Sequence, residues 1–359
     1  MRAAVVHGAG DIRVEERPVP TPGPGEVLIE VAAAGVCGSD AGVYAEIPDS
    51  MPLARAHPVT HHRGPLVLGH EFAGGIVATG PGVPESRLGA LCACGAGVSC
   101  GECRRCREGR TNLCQSYFTL GWARDGGLAE YVAAPAAICI EVDDLGLAAD
   151  TAALAQPMAI AVHAVRRGRV AAGDTVVVIG AGGIGAFATF VAAEYGAEVT
   201  VVDLDPERLR VAADLGAAQA VAAAGAAGLE GGTAVDVVLE VSGSRDGFDL
   251  ATALIGPGTR VVTVGVQRPR EVDLGALLFH EAELLGTVAH VCGEDLPEAV
   301  AMLARRAAGW SDVAPVVVGL EELVPRALQP MLDRAGGPIK TLIDPAAEAP
   351  RPARHARGS

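Results

Sequence analysis

Four of the nine cysteines of this 359-residue chain lie within one short stretch, CGECRRCREGRTNLC. They are Cys100, Cys103, Cys106 and Cys114, in the spacing C-x2-C-x2-C-x7-C. Three closely spaced thiolates and a fourth that returns from a short loop can surround a zinc ion tetrahedrally, and four sulfurs leave no open position for a substrate. Disulfides would need an oxidising compartment, and an iron–sulfur cluster would need redox chemistry that no other motif suggests. The spacing therefore favours a structural zinc site.

A glycine-rich stretch, VVVIGAGGIGAFATF, fits the dinucleotide-binding pattern G-x-G-x-x-G. Gly180 permits a tight turn after a strand, Gly182 lets the backbone approach a pyrophosphate, and Gly185 allows close packing of the next helix. Asp203 ends the following strand, where a carboxylate can accept hydrogen bonds from a ribose and would repel a 2′-phosphate. This pattern favours NAD over NADP and over a purely structural glycine turn. The candidate cofactor-binding residues are Gly180, Gly182, Gly183, Ile184, Gly185, Asp203 and Arg208, although an exposed helix arginine is the simpler interpretation of Arg208.

A second set of metal-ligand types is divided between two motifs. GVCGSD contains Cys37, and LGHEF contains His70 and Glu71. Each motif alone is a weak indication, because a single cysteine is usually a core residue and a single histidine usually a satisfied polar group. Together with a nicotinamide fold they indicate a metal with one open position, which could polarise an alcohol or carbonyl oxygen for hydride transfer.

The order of apolar runs shows which elements must position these residues. Up to about residue 150, short apolar runs separated by Pro/Gly turns predict a mostly β domain. From about 155 to 290, the runs TVVVIG, EVTVVD, VDVVLEV and RVVTVG alternate with helical stretches, which predicts a doubly wound parallel sheet. We therefore predict an α/β fold. Its parts are a catalytic domain at 1–154 and 295–345 with a zinc lobe at about 92–115, an NAD-binding domain at 155–294, and a disordered tail at 346–359.

Composition excludes several classes of partner. The net charge of −15 argues against a nucleic-acid partner, because Lys and Arg supply most phosphate affinity. The uncharged stretch 175–193 is interrupted by glycines, so we predict a strand and a helix there and no membrane span. The first residues, MRAAVVHGAGDIRVEERP, do not have the pattern of a secretory signal, which predicts a cytoplasmic protein.

The motifs together resemble the zinc-dependent medium-chain alcohol dehydrogenase family over nearly the full length of the chain. The markers are GVCGSD, LGHEFAG, the four-cysteine lobe, GGLAEYV, QPMAIAVHAV, GAGGIG and GTVAHV, in the family's order. The insert before LGHEF, with HPVTHHRGPLV, is similar to the corresponding segment of the (R,R)-2,3-butanediol and polyol (sorbitol-type) dehydrogenases.

This resemblance implies a fold, a set of cofactors and residue roles. It implies a GroES-like catalytic domain, a Rossmann domain and a homodimer or homotetramer. Each subunit would hold one structural and one catalytic zinc, the latter bound by Cys37, His70 and Glu71 with water or a substrate oxygen completing the shell. Ser39 matches the hydroxyl that relays the alcohol proton, and hydride would pass to C4 of NAD.

Two residues depart from the family pattern. Gly42 stands where many members have a histidine that passes the proton to solvent; water or His57, His61 or His62 of the insert could replace it, although these three are more simply loop residues. Gln156 stands where polyol-type members usually have a glutamate. A glutamine is tolerated there in some glucose dehydrogenases, and its amide oxygen could approach zinc but would give the site one negative charge fewer.

Three functions agree with these residues. The first is a zinc-dependent NAD(H) oxidoreductase that interconverts a secondary alcohol (a diol, acyloin, polyol or sugar-like molecule) and its ketone. The second is a tailoring dehydrogenase from a secondary-metabolite pathway that acts on a larger cyclic alcohol. The third is a catalytically impaired NAD- and zinc-binding protein. The pocket, and with it the substrate, depends on Tyr44, the insert at 45–65 and Trp122.

Overall fold

In the computed structural model, residues 1–229, 234–266, 268–333 and 336–355 are described. The chain divides into two compact units, one formed by Met1–Ala159 and Val291–Ser359 and the other by Ile160–His290. The joins predicted at 154/155 and 294/295 differ from these bounds by a few residues. The later join precedes 295 because the helix Cys292–Arg305 is continuous and belongs entirely to the first unit.

Nineteen strands and ten helices follow one another along the described residues, and short helical turns connect several of them. The strands are β1 (Arg2–Gly8), β2 (Asp11–Glu16), β3 (Glu26–Gly35), β4 (Leu66–Val67), β5 (Glu71–Thr79), β6 (Leu91–Cys94), β7 (Gly97–Val98), β8 (Phe118–Thr119), β9 (Tyr131–Pro135), β10 (Cys139–Glu141), β11 (Thr175–Ile179), β12 (Glu198–Asp203), β13 (Gln219–Ala222), β14 (Val237–Glu240), β15 (Arg260–Thr263), β16 (Glu283–Gly286), β17 (Val316–Val318), β18 (Leu342–Ile343) and β19 (Arg351–Pro352). The helices are α1 (Gly38–Ala45), α2 (Arg104–Arg107), α3 (Ala149–Ala152), α4 (Ala155–Arg167), α5 (Gly183–Glu194), α6 (Pro206–Asp214), α7 (Arg245–Ala253), α8 (Leu274–His280), α9 (Cys292–Arg305) and α10 (Gln329–Asp333).

The first unit is built mainly of antiparallel strands. Its large sheet has the order β10–β6–β5–β3–β18–β17–β19, with β9 also paired to β3, and a smaller sheet has the order β2–β1–β4. Within the large sheet, β17 and β18 are parallel. Buried side chains such as Ile29, Phe72 and Leu128 form the core. The predicted mostly β character of this part of the chain is confirmed.

The second unit is a six-stranded sheet with the order β13–β12–β11–β14–β15–β16, in which all neighbouring strands are parallel. This is the strand order of the dinucleotide-binding doubly wound fold. The central strands are rich in Val and are buried, as expected for strands covered on both faces. The predicted α/β fold with a Rossmann sheet is therefore confirmed.

The uncharged stretch at 175–193 forms β11 and most of α5, as the glycines predict. Gly180 lies between the two elements with φ of 98°, a conformation that glycine adopts without strain. Among the described residues, no helix combines the length and the apolarity that crossing a bilayer requires.

The prediction of a disordered tail at 346–359 is wrong for residues 346–355. β19 pairs antiparallel with β17, through Val316 with Pro352 and Val317 with Arg351. The Arg351 guanidinium also donates to the buried carboxylate of Asp150. The prediction failed because this segment carries no apolar periodicity and is held by backbone pairing and charge. Residues 356–359 lie outside the described residues.

Candidate active site and cofactor loop

Cys37, His70 and Glu71 converge in the first unit. Antiparallel pairing of β3 with β5 sets Gly35 opposite Glu71, so the residue that follows β3 by two positions comes close to the residue just before β5. One ligand atom from each of the three side chains lies within 4.8 Å of the others. A side chain at Gly35 would collide with the Glu71 carboxylate, which explains a glycine at this pairing.

The carboxylate of Asp40 lies next to the imidazole of His70. Its Oδ2 accepts a hydrogen bond from the Cys37 backbone N–H at 2.9 Å, and its Oδ1 lies 3.7 Å from His70 Nδ1. Both Oδ1 and Nδ1 are buried, and neither has a hydrogen-bond partner among the described residues. A neutral His70 with Nδ1–H directed at Asp40 would leave Nε2 for a metal, which is the usual arrangement of a metal-binding histidine.

Electrostatics in this cluster are set by burial and by the density of charge. Burial lowers the pKa of His70, but the negative charges of Asp40 and Cys37 outweigh it and raise this pKa from 6.5 to about 10. Burial raises the pKa of Asp40. The acidic side chains of Cys37, Asp40 and Glu71 meet around His70, so the site is suited to a cation. One thiolate, one imidazole and one carboxylate form a donor set that fits zinc.

Lys340 completes the buried cluster, and sequence reasoning did not assign it a role. Its Nζ donates to both carboxylate oxygens of Glu71, each at 2.5 Å, and to the Val36 carbonyl oxygen at 3.2 Å. Burial lowers the pKa of Lys340, but the Glu71 and Cys37 charges outweigh it and raise this pKa. The available signal was that Lys340 is the only lysine of the chain and lies two residues before an apolar strand.

The remaining catalytic candidates lie in the same unit. Ser39 is half-buried in the first turn of α1, two residues after Cys37. Gln156 is the second residue of α4 and is 8% exposed. Gly42 is exposed on α1, and a side chain there would meet no atom within 4 Å. The role of Gln156 as a zinc ligand stays a prediction.

The three histidines of the insert have different surroundings. His57 Nδ1 accepts hydrogen bonds from the backbone N–H groups of Val59 and Thr60, so it stabilises the loop in which it lies. His62 contacts the Pro65 carbonyl oxygen through Nε2 at 3.2 Å, and His61 is exposed. These contacts favour the interpretation as loop residues over a proton relay.

The four clustered cysteines surround a common point on the lobe that carries α2. Their sulfur atoms lie within 4.8 Å of one another. The Cys100–Cys114 and Cys103–Cys106 sulfurs are 3.5 Å apart, far longer than a disulfide bond. Backbone N–H groups donate to these sulfurs, as from Cys103 to Cys100, which stabilises thiolates. The group can hold a zinc ion in a closed shell.

The cofactor loop connects β11 to α5 in the second unit. A side chain at Gly185 would collide with the Gly180 carbonyl oxygen, so close helix packing requires glycine. Asp203 Oδ2 accepts the Ala181 N–H at 2.6 Å, and Oδ1 accepts the Asp205 N–H at 2.8 Å. The guanidinium of Arg208 reaches toward Gly182, 3.9 Å from where a side chain would begin. The loop, Asp203 and Arg208 are thus brought together at the carboxyl end of the sheet.

Comparisons with known families give a match for each half of the chain. The family described as "Alcohol dehydrogenase GroES-like domain" matches residues 23–144, and the family described as "Zinc-binding dehydrogenase" matches residues 183–305. Sorbitol dehydrogenase of Bacillus subtilis (strain 168) is 32% identical over 292 residues, which cover 79% of this chain and 80% of that protein.

Solved structures share the whole fold. The structure of 2R,3R-butanediol dehydrogenase from Bacillus subtilis has a TM-score of 0.87 at 27% identity and covers 96% of this chain and 99% of its own. An alcohol dehydrogenase (rspB) from E. coli CFT073, in complex with NADH, has a TM-score of 0.84 at 28% identity with the same coverage. A zinc-binding dehydrogenase from Sinorhizobium meliloti 1021, bound to NADP, has a TM-score of 0.84 at 30% identity, again covering 96% and 99%. The resemblance is confirmed: the chain is an alcohol dehydrogenase and belongs to the zinc-dependent medium-chain alcohol dehydrogenase family.

Proposed function

We propose that this enzyme uses NAD(H) to interconvert a secondary alcohol with a neighbouring hydroxyl or carbonyl group and its ketone. The substrate class is a diol, acyloin, polyol or sugar-like molecule. The observation that carries the proposal is the convergence of Cys37, His70 and Glu71 in a chain related to a sorbitol dehydrogenase and similar in structure to a butanediol dehydrogenase.

The metal site would be held by Cys37 and His70, with Asp40 orienting the imidazole. A zinc ion bound there would supply Lewis acidity toward the substrate oxygen. Glu71 shares its negative charge with Lys340, which reduces its strength as a ligand. We propose that the buried amide of Gln156 contributes an oxygen to the same shell.

Proton transfer would begin at Ser39. Its hydroxyl can accept a proton from the substrate alcohol and release one toward solvent. Gly42, almost one helical turn later, leaves open space at the exposed side of α1. We propose that water entering beside Gly42 carries the proton away in place of a histidine.

The cofactor would lie on the loop Gly180–Gly185, with its pyrophosphate facing the amino end of α5. The carboxylate of Asp203 favours NAD, because it can accept bonds from the ribose hydroxyls and repels a 2′-phosphate. Arg208, near Gly182, would contact the adenosine part. When bound, NAD supplies the carbon that accepts the hydride.

The assembly would be a homodimer or homotetramer in the cytoplasm. Three large apolar side chains of α8 are strongly exposed: Leu274 and Leu278 at 72% and Phe279 at 85%. The neighbouring β16 is the last strand in the order of its sheet. We propose that a second copy of the chain covers this apolar surface.

Two thiolate-containing metal sites agree with a reducing compartment.

The test is absorbance of NADH in the near ultraviolet while purified enzyme meets a panel of diols, polyols and acyloins. We expect an alcohol-dependent signal that a chelator removes and zinc restores. A signal with large cyclic alcohols alone would favour the tailoring enzyme. The absence of turnover with this panel and with large cyclic alcohols, while zinc is bound, would favour the impaired binding protein and contradict the proposal.

A further inference from the structure

The C-terminal segment 351–355 is bound to the short helix α3. The segment first pairs with β17 as the edge strand β19, and the Ala353 N–H donates to the Pro315 carbonyl oxygen at 3.0 Å. It then passes over α3 and forms hydrogen bonds with two adjacent side chains of that helix, Asp150 and Thr151. Both are buried, at 2% and 1% exposure.

Asp150 is a buried carboxylate paired through this segment. Its two oxygens accept from the two terminal guanidinium nitrogens of Arg351, at 2.6 and 3.0 Å. Oδ2 also accepts the Arg354 backbone N–H at 2.7 Å. A buried carboxylate is tolerated only when it is paired and hydrogen-bonded. The negative charge of Asp150 on α3 is therefore compensated by residues of this segment.

Thr151 provides the second attachment. Its hydroxyl lies 2.9 Å from Nδ1 of His355 and donates to the His355 carbonyl oxygen at 3.2 Å. The other ring nitrogen of His355 lies 3.0 Å from the Ala314 carbonyl oxygen. The imidazole thus bridges α3 and the residues that lead into β17.

The position of α3 connects these attachments to the metal site. α3 packs against β3, which ends two residues before Cys37, and against β5, which begins at Glu71. α4 begins three residues after the end of α3 and carries Gln156 as its second residue. β3 and β5 are held in place by their own pairing, so a shift of α3 would act on the site through Gln156.

We propose that the C-terminal segment 351–355 positions the catalytic metal site by holding α3 through Asp150 and Thr151. Arg351 and His355 are positioning residues, because they act on the site through their contacts with α3. The inference rests on the proposed function in one respect, namely that Gln156 contributes to the metal shell.

The experiment compares Arg351→Ala, Gln156→Ala and their double variant in the full chain. Zinc affinity of the catalytic site is measured by competition with a chelator, with Cys37→Ala to identify which zinc belongs to that site. Thermal unfolding is followed in parallel. Arg13→Ala is the matched control, since Arg13 also donates two hydrogen bonds to a single carboxylate, that of Asp11, but at the surface of the protein.

We expect Arg351→Ala to weaken zinc binding about tenfold, the usual effect of losing a group that orients a metal ligand. We also expect the Tm to fall by about 5 °C, with Arg13→Ala changing neither quantity. In the Gln156→Ala background, Arg351→Ala should still lower the Tm but should change zinc affinity less than about twofold, because coupled residues are not additive. If Arg351→Ala does not fold, Arg351→Lys replaces it, since it keeps the charge without the two-pronged geometry.

Wild-type zinc affinity in Arg351→Ala, with a lowered Tm, would overturn the inference and leave only a stabilising role. The same loss of affinity with and without Gln156 would also overturn it. Wild-type affinity in Gln156→Ala alone would remove Gln156 from the proposed shell and would overturn the inference as well. Dehydrogenase activity of the wild-type chain tests the proposed reaction separately.

Discussion

Lys340 places its ammonium 2.5 Å from both carboxylate oxygens of Glu71, in a pair of which Lys340 is 3% and Glu71 0% exposed. Such a pair contributes little net stability compared with apolar residues, but removing one partner leaves a buried charge alone. We expect Lys340→Met to lower the free energy of unfolding of zinc-depleted protein by about 3–5 kcal/mol, measured by urea denaturation. Lys340→Met combined with Glu71→Gln should recover most of that loss. If the double variant is as unstable as the single one, the pair does not determine stability here.

The structural zinc lobe should be separable from catalysis. Cys103→Ser removes one of four sulfurs whose atoms lie within 4.8 Å of one another. We expect one zinc per chain to be lost and the Tm to fall, while the affinity for NAD in the other unit stays unchanged. Metal analysis, thermal unfolding and NAD titration measure the three quantities. Retention of both zinc ions would show that Cys103 is not a ligand.

Asp203 should set the choice of cofactor. Asp203→Asn removes the negative charge and keeps an oxygen that can accept the Ala181 or Asp205 N–H. We expect kcat/KM with NADP to rise about tenfold, equivalent to roughly 1.4 kcal/mol of relieved repulsion. Glu207→Gln, an exposed acid at the start of α6, serves as the control and should leave both cofactors unaffected. An unchanged ratio of NAD to NADP use in Asp203→Asn would contradict this role.

His355 should make stability depend on pH. Burial lowers its pKa from 6.5, and the Ala314 carbonyl, Asp150 and Asp312 only partly offset this, while Arg306 lowers it further. Between the lowered pKa and 6.5 the unfolded chain binds a proton that the folded chain does not. Stability from neutral His355 is therefore complete above pH 6.5 and is lost as pH falls below it.

We accordingly expect the Tm to fall between pH 7.5 and 5.5, with a smaller fall in His355→Asn. Asparagine can still bond to the Thr151 hydroxyl but does not titrate. The exposed His61→Asn variant is the control and should keep the wild-type slope. If the Tm depends on pH equally in the wild type and in His355→Asn, the side chain of His355 does not titrate in this range.

Spacing along the chain was sufficient to predict the groups that depend on local order. The four-cysteine lobe and the loop from Gly180 to Gly185 are each contained in one continuous stretch, and the structure brings each of them together. The parallel sheet could be predicted because buried central strands appear as uninterrupted apolar runs.

The contacts that sequence reasoning missed are long-range pairs of charges. Lys340 is 269 residues from Glu71, and Arg351 is 201 residues from Asp150. No local pattern connects such residues, because only the pairing of β18 with β3 and of β19 with β17 brings them together. The sequence therefore assigns no role to Lys340 and predicts disorder for the tail that contains Arg351.

The central claim is that the chain oxidises a secondary alcohol at a zinc site formed by Cys37 and His70. The most direct measurement is the rate of NADH formation from a panel of vicinal diols and polyols by wild type and Cys37→Ala, each assayed zinc-depleted and after zinc is restored. Our account predicts turnover by the wild type only with zinc, and no turnover by folded Cys37→Ala at either condition. Wild-type rates in Cys37→Ala, or full activity of zinc-depleted wild type, would contradict it.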